Sequence, residues 1–105
     1  MVIIKMRHKD VIQLVAVTIV EDELGNQIEQ ETMRQVFANE FSISDRDFYN
    51  AGIQGLRPEK RFEIYVFEYQ NEPKFIHNGI KYRIIRTETR GEKIRLTGEK
   101  VIGDG

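Results

Sequence analysis

The sequence predicts a mainly β domain: a small antiparallel β-barrel or sandwich with one short helix and a long glycine-containing loop. Three observations carry that expectation. Six or so short runs rich in β-branched and aromatic residues alternate with polar turn segments. One of those turns, Asn78-Gly79, is the strongest short hairpin signal in the chain. Ser44 with Asp47 forms the one clear helix-start pair, in a capping-box arrangement with Asp where Glu or Gln is usual.

The elements follow in order. Val11 to Val20 (VIQLVAVTIV) is too short to span a membrane and reads as a buried strand, and Glu21 to Gln27 reads as a polar turn. A strand from about Thr32 to Ile43 closes the first hairpin, with Met33, Phe37, Phe41 and Ile43 on one face and Thr32 and Arg34 on the other. Val36 and Ala38 blur that alternation, as expected where both faces are covered. The helix runs from Asp45 to Ala51, its first-turn carboxylates complementing the dipole, and Gly52 ends it. Asp45 and Asp47 are therefore read as capping residues.

Ile53 to Pro58 follows as a loop whose glycines permit motion and whose Ile53 and Leu56 need a surface, their own domain or a neighbour. Arg61 to Tyr69 alternates strictly, with Phe62, Ile64 and Val66 on one face and Arg61, Glu63, Tyr65, Phe67 and Tyr69 on the other, the aromatics forming a second packed layer. Phe75 to His77 and Ile80 to Thr87 flank Asn78-Gly79, with Ile80, Tyr82 and Ile84 sharing a face. A turn near Arg90-Gly91 leads to Lys93 to Thr97, read with Ile94 and Leu96 on opposite faces.

The 105 residues fit a single domain, 1-105, with a core large enough to fold alone. Lys plus Arg number 16 against 17 Asp plus Glu, which argues mildly against a nucleic-acid binder. The absence of cysteine excludes disulfides and thiolate metal sites. The apolar run before Lys5 is too short for a signal-peptide core or a membrane span, so no membrane association is expected.

The search for chemistry returns no catalytic residue, no cofactor-binding residue and no metal ligand set. His8 and His77 belong to no metal-binding spacing and are read as ordinary surface or strand positions. Ser42 and Ser44 lack a nucleophile-elbow setting, and the glycines form no phosphate loop. An enzyme is not expected. Lys81, Arg83, Arg86, Arg90, Lys93 and Arg95, with Tyr82 among them, would suit a single-strand nucleic-acid-binding small β-barrel. The interleaved Glu88, Glu92 and Glu99 favour instead a solvated face of cross-strand ion pairs.

The order of short motifs carries a resemblance. Val36-Phe37-Ala38-Asn39, Ser42-Ile43-Ser44, Asp47-Phe48-Tyr49-Asn50-Ala51-Gly52 and Gly55-Leu56-Arg57-Pro58-Glu59 resemble the phage head-tail adaptor family, also called head closure or head-tail joining proteins. Tyr69, Glu72, Asn78-Gly79, Tyr82-Arg83-Ile84, Arg86-Thr87 and Leu96 resemble the family's closing hairpins, and the likeness covers roughly Asp22 to Ile102. The chain departs from the pattern at Asp47, where Glu is common, and at Arg95 and Thr97, where an acidic residue and an aromatic are common.

The resemblance implies a virion structural protein of a tailed phage or prophage, made in the host cytoplasm and placed at the virion neck. It would form a ring below the portal, close the DNA-filled head and offer the tail its platform, in the stopper position. Its partners would be a portal or adaptor protein above, a tail-completion or tail-terminator protein below and further copies of itself, with packaged DNA retained sterically. Ser44 to Pro58 is the expected assembly and channel element, and within it Phe48, Tyr49, Gly52, Ile53, Gly55, Leu56 and Arg57 are the candidate site residues. Strand addition by partners is expected at Arg61 to Tyr69 or Lys93 to Thr97.

Overall fold

Period-two alternation builds most of this domain, and closure of the sheet decides which side of each strand is buried. The computed structural model describes residues 10–102. Its elements are β1 (Asp10–Glu21), β2 (Gln27–Phe41), α1 (Asp45–Ile53), β3 (Pro58–Tyr65), a 3-10 turn (Val66–Glu68), β4 (Lys74–His77), β5 (Ile80–Arg90) and β6 (Lys93–Lys100). The six strands are all antiparallel and close into a barrel in the order β1-β2-β3-β6-β5-β4. Among the described residues no helix is long and apolar enough to cross a membrane.

Each strand sends residues into the core: Ile12 and Leu14, Val36 and Ala38, Phe62 and Ile64, Phe75, Tyr82, and Ile94 with Leu96. Phe62 meets Phe75 edge-on at 5.5 Å, and Phe75 stacks on Tyr82 at 5.2 Å. Gly98 is what makes room for that stack. A Cβ there would lie 2.7 Å from the Phe75 ring and 2.8 Å from the Tyr82 Cβ, so this mid-strand glycine is a packing requirement.

Several expectations change on contact with the fold. β2 begins at Gln27 and ends at Phe41, and its inward face is Val36 and Ala38; Phe37 and Met33 are exposed on the outside. β3 stops at Tyr65, so Val66 leaves the inner face, and Phe67 is exposed while stacking on Tyr65 at 5.4 Å. Ile94 and Leu96, two residues apart, share the inner face, as period two demands. β6 is paired on both sides over Lys93 to Thr97 and offers no free edge for strand addition; β3 is paired on both sides over Arg61 to Glu63, and its pairing with β2 stops there.

The hairpin turns behave as read. Asn78 and Gly79 both adopt positive φ, 52° and 79°, the backbone a type I′ turn requires, and His77 pairs with Ile80 across it. The β5 to β6 turn joins Arg90 to its partner Lys93.

β1 and β2 outgrow the barrel. β4 pairs with β1 only over Gln13 to Val15, and β3 pairs with β2 only over Asn39 to Phe41. Beyond Val15 the hairpin runs on as a two-stranded arm, with Ala16 opposite Thr32 and Glu21 opposite Gln27. Six residues of extended chain carry it about 20 Å past the barrel. Its root is braced by Arg34, which donates to Glu72 and to the Glu68 carbonyl at 2.6 Å each, and by Glu31, which holds Lys81 at 2.9 Å. Glu72 is buried and also accepts from the Gln70 amide at 2.8 Å, so one carboxylate ties the segment after β3 to the base of the arm.

Candidate functional site

α1 starts where the sequence places it. The Ser44 side chain accepts from the Asp47 amide at 3.1 Å, and Asp45 and Asp47 lie in the first turn. Its end lies further on than expected. Gly52 remains helical and the helix runs to Ile53, with Gln54 as the C-cap. Gly55, at φ +80°, takes the left-handed position, its amide donating to Gly52 and the Leu56 amide donating to Ala51, both within 3.0 Å. This is a Schellman motif, and the glycine that stops the helix is Gly55. The glycine-containing connection is accordingly short, Gln54 to Arg57, and it is hydrogen-bonded to the helix.

A nine-residue helix is marginal alone, and this one buries no residue fully, so tertiary contacts must hold it. They come from its polar side. Asp47, Asn50, Ala51 and Gln54 recur at helical spacing and line a cleft of about 140 Å³ against Pro58, Arg61, Ile85, Arg86 and Thr97. Arg61 is buried under the helix, donating to Asp47 at 2.9 Å and to Thr97 Oγ1 at 3.0 Å. A guanidinium out of water needs such partners. The Arg61 hydrogen bond holds the Asp47 carboxyl below its ordinary value. Ser44 thus caps the helix and Asp47 anchors it. Asp47 and Thr97 meet on this arginine.

With its polar face turned in, α1 turns its apolar face out. Phe48 is 54%, Tyr49 69% and Ile53 70% exposed. Phe48, Gly52, Gly55, Leu56 and Arg57 line one open depression beside the helix, and Tyr49 and Ile53 stand next to it on α1. All seven sequence-predicted site residues are therefore gathered in one surface region. Leu56 is half-buried, so the loop rests one of its two large apolar residues on its own domain and leaves Ile53 outside.

The basic strands carry a different message. Lys81 pairs with Glu31 at 2.9 Å, Arg83 with Glu99 at 2.6 Å and Arg95 with Glu63 at 3.2 Å. Arg86 has Asp47, Arg90 has Glu88 and Lys93 has Glu63, each at 3.9 Å. Arg95 also lies over the Phe41 ring at 4.1 Å. Tyr82 is buried in the core, where burial pushes its hydroxyl pKa up, so its ring faces no solvent. His77 is buried on β4 against Phe62, with Nε2 3.6 Å from Asp10; His8 lies outside the described residues. No group of three or more His, Cys, Asp or Glu among the described residues is placed to hold a metal ion.

Sequence reasoning missed the Arg61 anchor and the arm. Arg61 looked like the polar side of an alternating strand, and nothing local says that a helix will cover it. The arm left a trace that was there to be read: between Asp10 and Met33 there are six carboxylates and no Lys or Arg. No family model matches the chain, and no curated protein sequence matches it.

Proposed function

We propose that this protein is a structural subunit of the connector of a tailed phage or prophage. In this reading it forms a ring below the portal at the virion neck, closes the DNA-filled head and gives the tail its platform. Its work is steric and not enzymatic. The observation that carries the reading, beside the resemblance in sequence, is the inverted helix: α1 spends its polar face on Arg61 and presents Phe48, Tyr49 and Ile53 to solvent. A soluble domain gains nothing from exposing such a face, whereas a subunit that docks on neighbours does. A ring with heterologous contacts needs two unlike surfaces per subunit, and the arm and α1 supply them at opposite ends of β2. Portal or adaptor and tail-completion or tail-terminator proteins are the neighbours this reading requires, with DNA retained sterically.

The single-strand nucleic-acid alternative loses its two supports. Each of the six cations it relies on has a carboxylate within 3.9 Å, and the aromatic meant to stack bases is in the core.

The test is an affinity pull-down of the tagged protein from an induced lysate, with bound proteins identified by mass spectrometry and particles imaged. Recovery of portal and tail-completion proteins, with label at the neck, is the expected result. Recovery of nucleic acid or host enzymes without phage structural proteins would overturn the proposal.

A further inference from the structure

The tip of the β1 to β2 arm is built to hold one side chain out. Asp22 Oδ1 accepts from the Leu24 amide at 2.9 Å and from the Asn26 amide at 2.8 Å, and the Asp22 amide donates to the Asn26 carbonyl at 2.9 Å. This bonded turn carries Leu24 at 85% exposure, with Glu21 and Glu23 beside it. A preformed turn loses little conformational entropy when it docks. The arm itself is a two-stranded ribbon, a form that is marginal in water without something packed against it.

Charge decides what the partner is. Residues 10–33 hold six carboxylates and no cation, while the described remainder, residues 34–102, has an excess of Lys and Arg. Two arms therefore repel each other, and an arm and a barrel body attract. On the body, the cations of β5 and β6 are already paired with carboxylates except Lys100, which lines a different depression beside Glu99. Arg46 and Arg57 are exposed, and among the described residues neither makes an ion pair. Arg57 rims the depression floored by Phe48, Gly52, Gly55 and Leu56, and Arg46 precedes Tyr49 and Ile53 by one and two helical turns. Of the helix's own carboxylates, Asp47 is taken by Arg61 and Asp45 lies in the first turn, where it complements the dipole.

We infer that the arm tip of one copy docks on the α1 depression of a second copy, Leu24 entering between Phe48 and Leu56 while Glu21 and Glu23 meet Arg46 and Arg57. The contact is head-to-tail and leaves an arm and a depression free on the outer copies, so it ends only by closing on itself. It deepens the ring reading above by naming the subunit contact, and it is tested without phage components.

The cysteine-free chain makes cross-linking clean. Leu24→Cys and Gly52→Cys are prepared as separate variants; no atom lies within 4 Å of a Cβ at Gly52, so that substitution leaves the fold alone. The two are mixed at high concentration under mild oxidation. The expected result is a disulfide-linked mixed dimer, several-fold above the dimer of either variant alone, whose yield falls as salt shortens the screening length from about 8 Å to about 3 Å. Paired Glu21→Lys and Glu23→Lys, or paired Arg46→Glu and Arg57→Glu, should each abolish the mixed dimer, and combining the two sets across the partners should restore it. No mixed dimer, or as much from Leu24→Cys alone, overturns the contact. Neck proteins in the pull-down without the mixed dimer would leave the connector reading standing and this contact fallen. The mixed dimer with no phage structural protein recovered would do the reverse.

Discussion

The barrel and the arm are made from the same two strands, and those strands obey different constraints on either side of Val15. Below it, β1 is flanked by β2 and β4, and Ile12 and Leu14 are fully buried. Above it, β1 has β2 alone, and Ile19 and Ile28 are 56% and 44% exposed although their β-propensity is the same. The composition of a strand does not say whether it is core. The number of neighbours does, because only a closed sheet has an inside. α1 teaches the same point in reverse: the barrel buries polar Arg61 against a half-buried Asp47 and leaves Phe48, Tyr49 and Ile53 in water.

If that division is right, substitutions in the barrel should cost far more than wholesale changes to the arm. The largest effect is expected at Phe62, which is fully buried and edge-on to Phe75. Phe62→Ala should cost about 3 to 5 kcal/mol in denaturant-induced unfolding, and a cost below about 1 kcal/mol would deny the core its centre. Intermediate in size is the anchor of α1. Asp47→Asn should cost about 2 kcal/mol at neutral pH, read as a lower denaturation midpoint, because the buried Arg61 loses a charged acceptor. Since Arg61 lowers the Asp47 pKa from 3.8, the wild-type contribution is complete above that pH and is lost as pH falls through the lower folded value. The Asn variant should lack this acid-dependent loss. A variant with wild-type acid sensitivity would place the loss elsewhere.

The smallest stability effect is expected from the most drastic change. Replacing residues 17–31 by Asn-Gly would join Ala16 to its cross-strand partner Thr32 and remove the arm. Glu31 and its pairing with Lys81 go too, an exposed contact worth under about 1 kcal/mol. The thermal midpoint should move by a few degrees at most, while self-association in the cross-linking assay should vanish. A protein that failed to fold without the arm would abolish the distinction between scaffold and docking element.

Much of the fold was legible. Asn78-Gly79, Ser44 with Asp47, and the alternation through Phe62 and Ile64 act locally, through backbone dihedrals, one hydrogen bond and period two, and each appears where the sequence puts it. The seven site residues also fall together, because six residues of helix and a four-residue connection cannot separate them far. What went astray depends on distant chain. Phe37 faces out because closure of the ring makes the side that carries Val36 and Ala38 the interior. Gly98 matters only because Phe75 and Tyr82 stack over it.

The sequence by itself determined the antiparallel β class, the hairpin turns, the helix start and the acid-only first hairpin, all properties of turns, caps and contiguous stretches of chain. Only the tertiary structure decided which face of each strand became interior, that Arg61 would be buried beneath α1, and that the first hairpin would outrun the barrel. Those outcomes are set by pairing partners far away along the chain, 63 positions for Gln13 and Ile76 and 36 for Arg61 and Thr97. A residue's environment is then fixed by which strands remain to cover it, a quantity that local propensity does not contain.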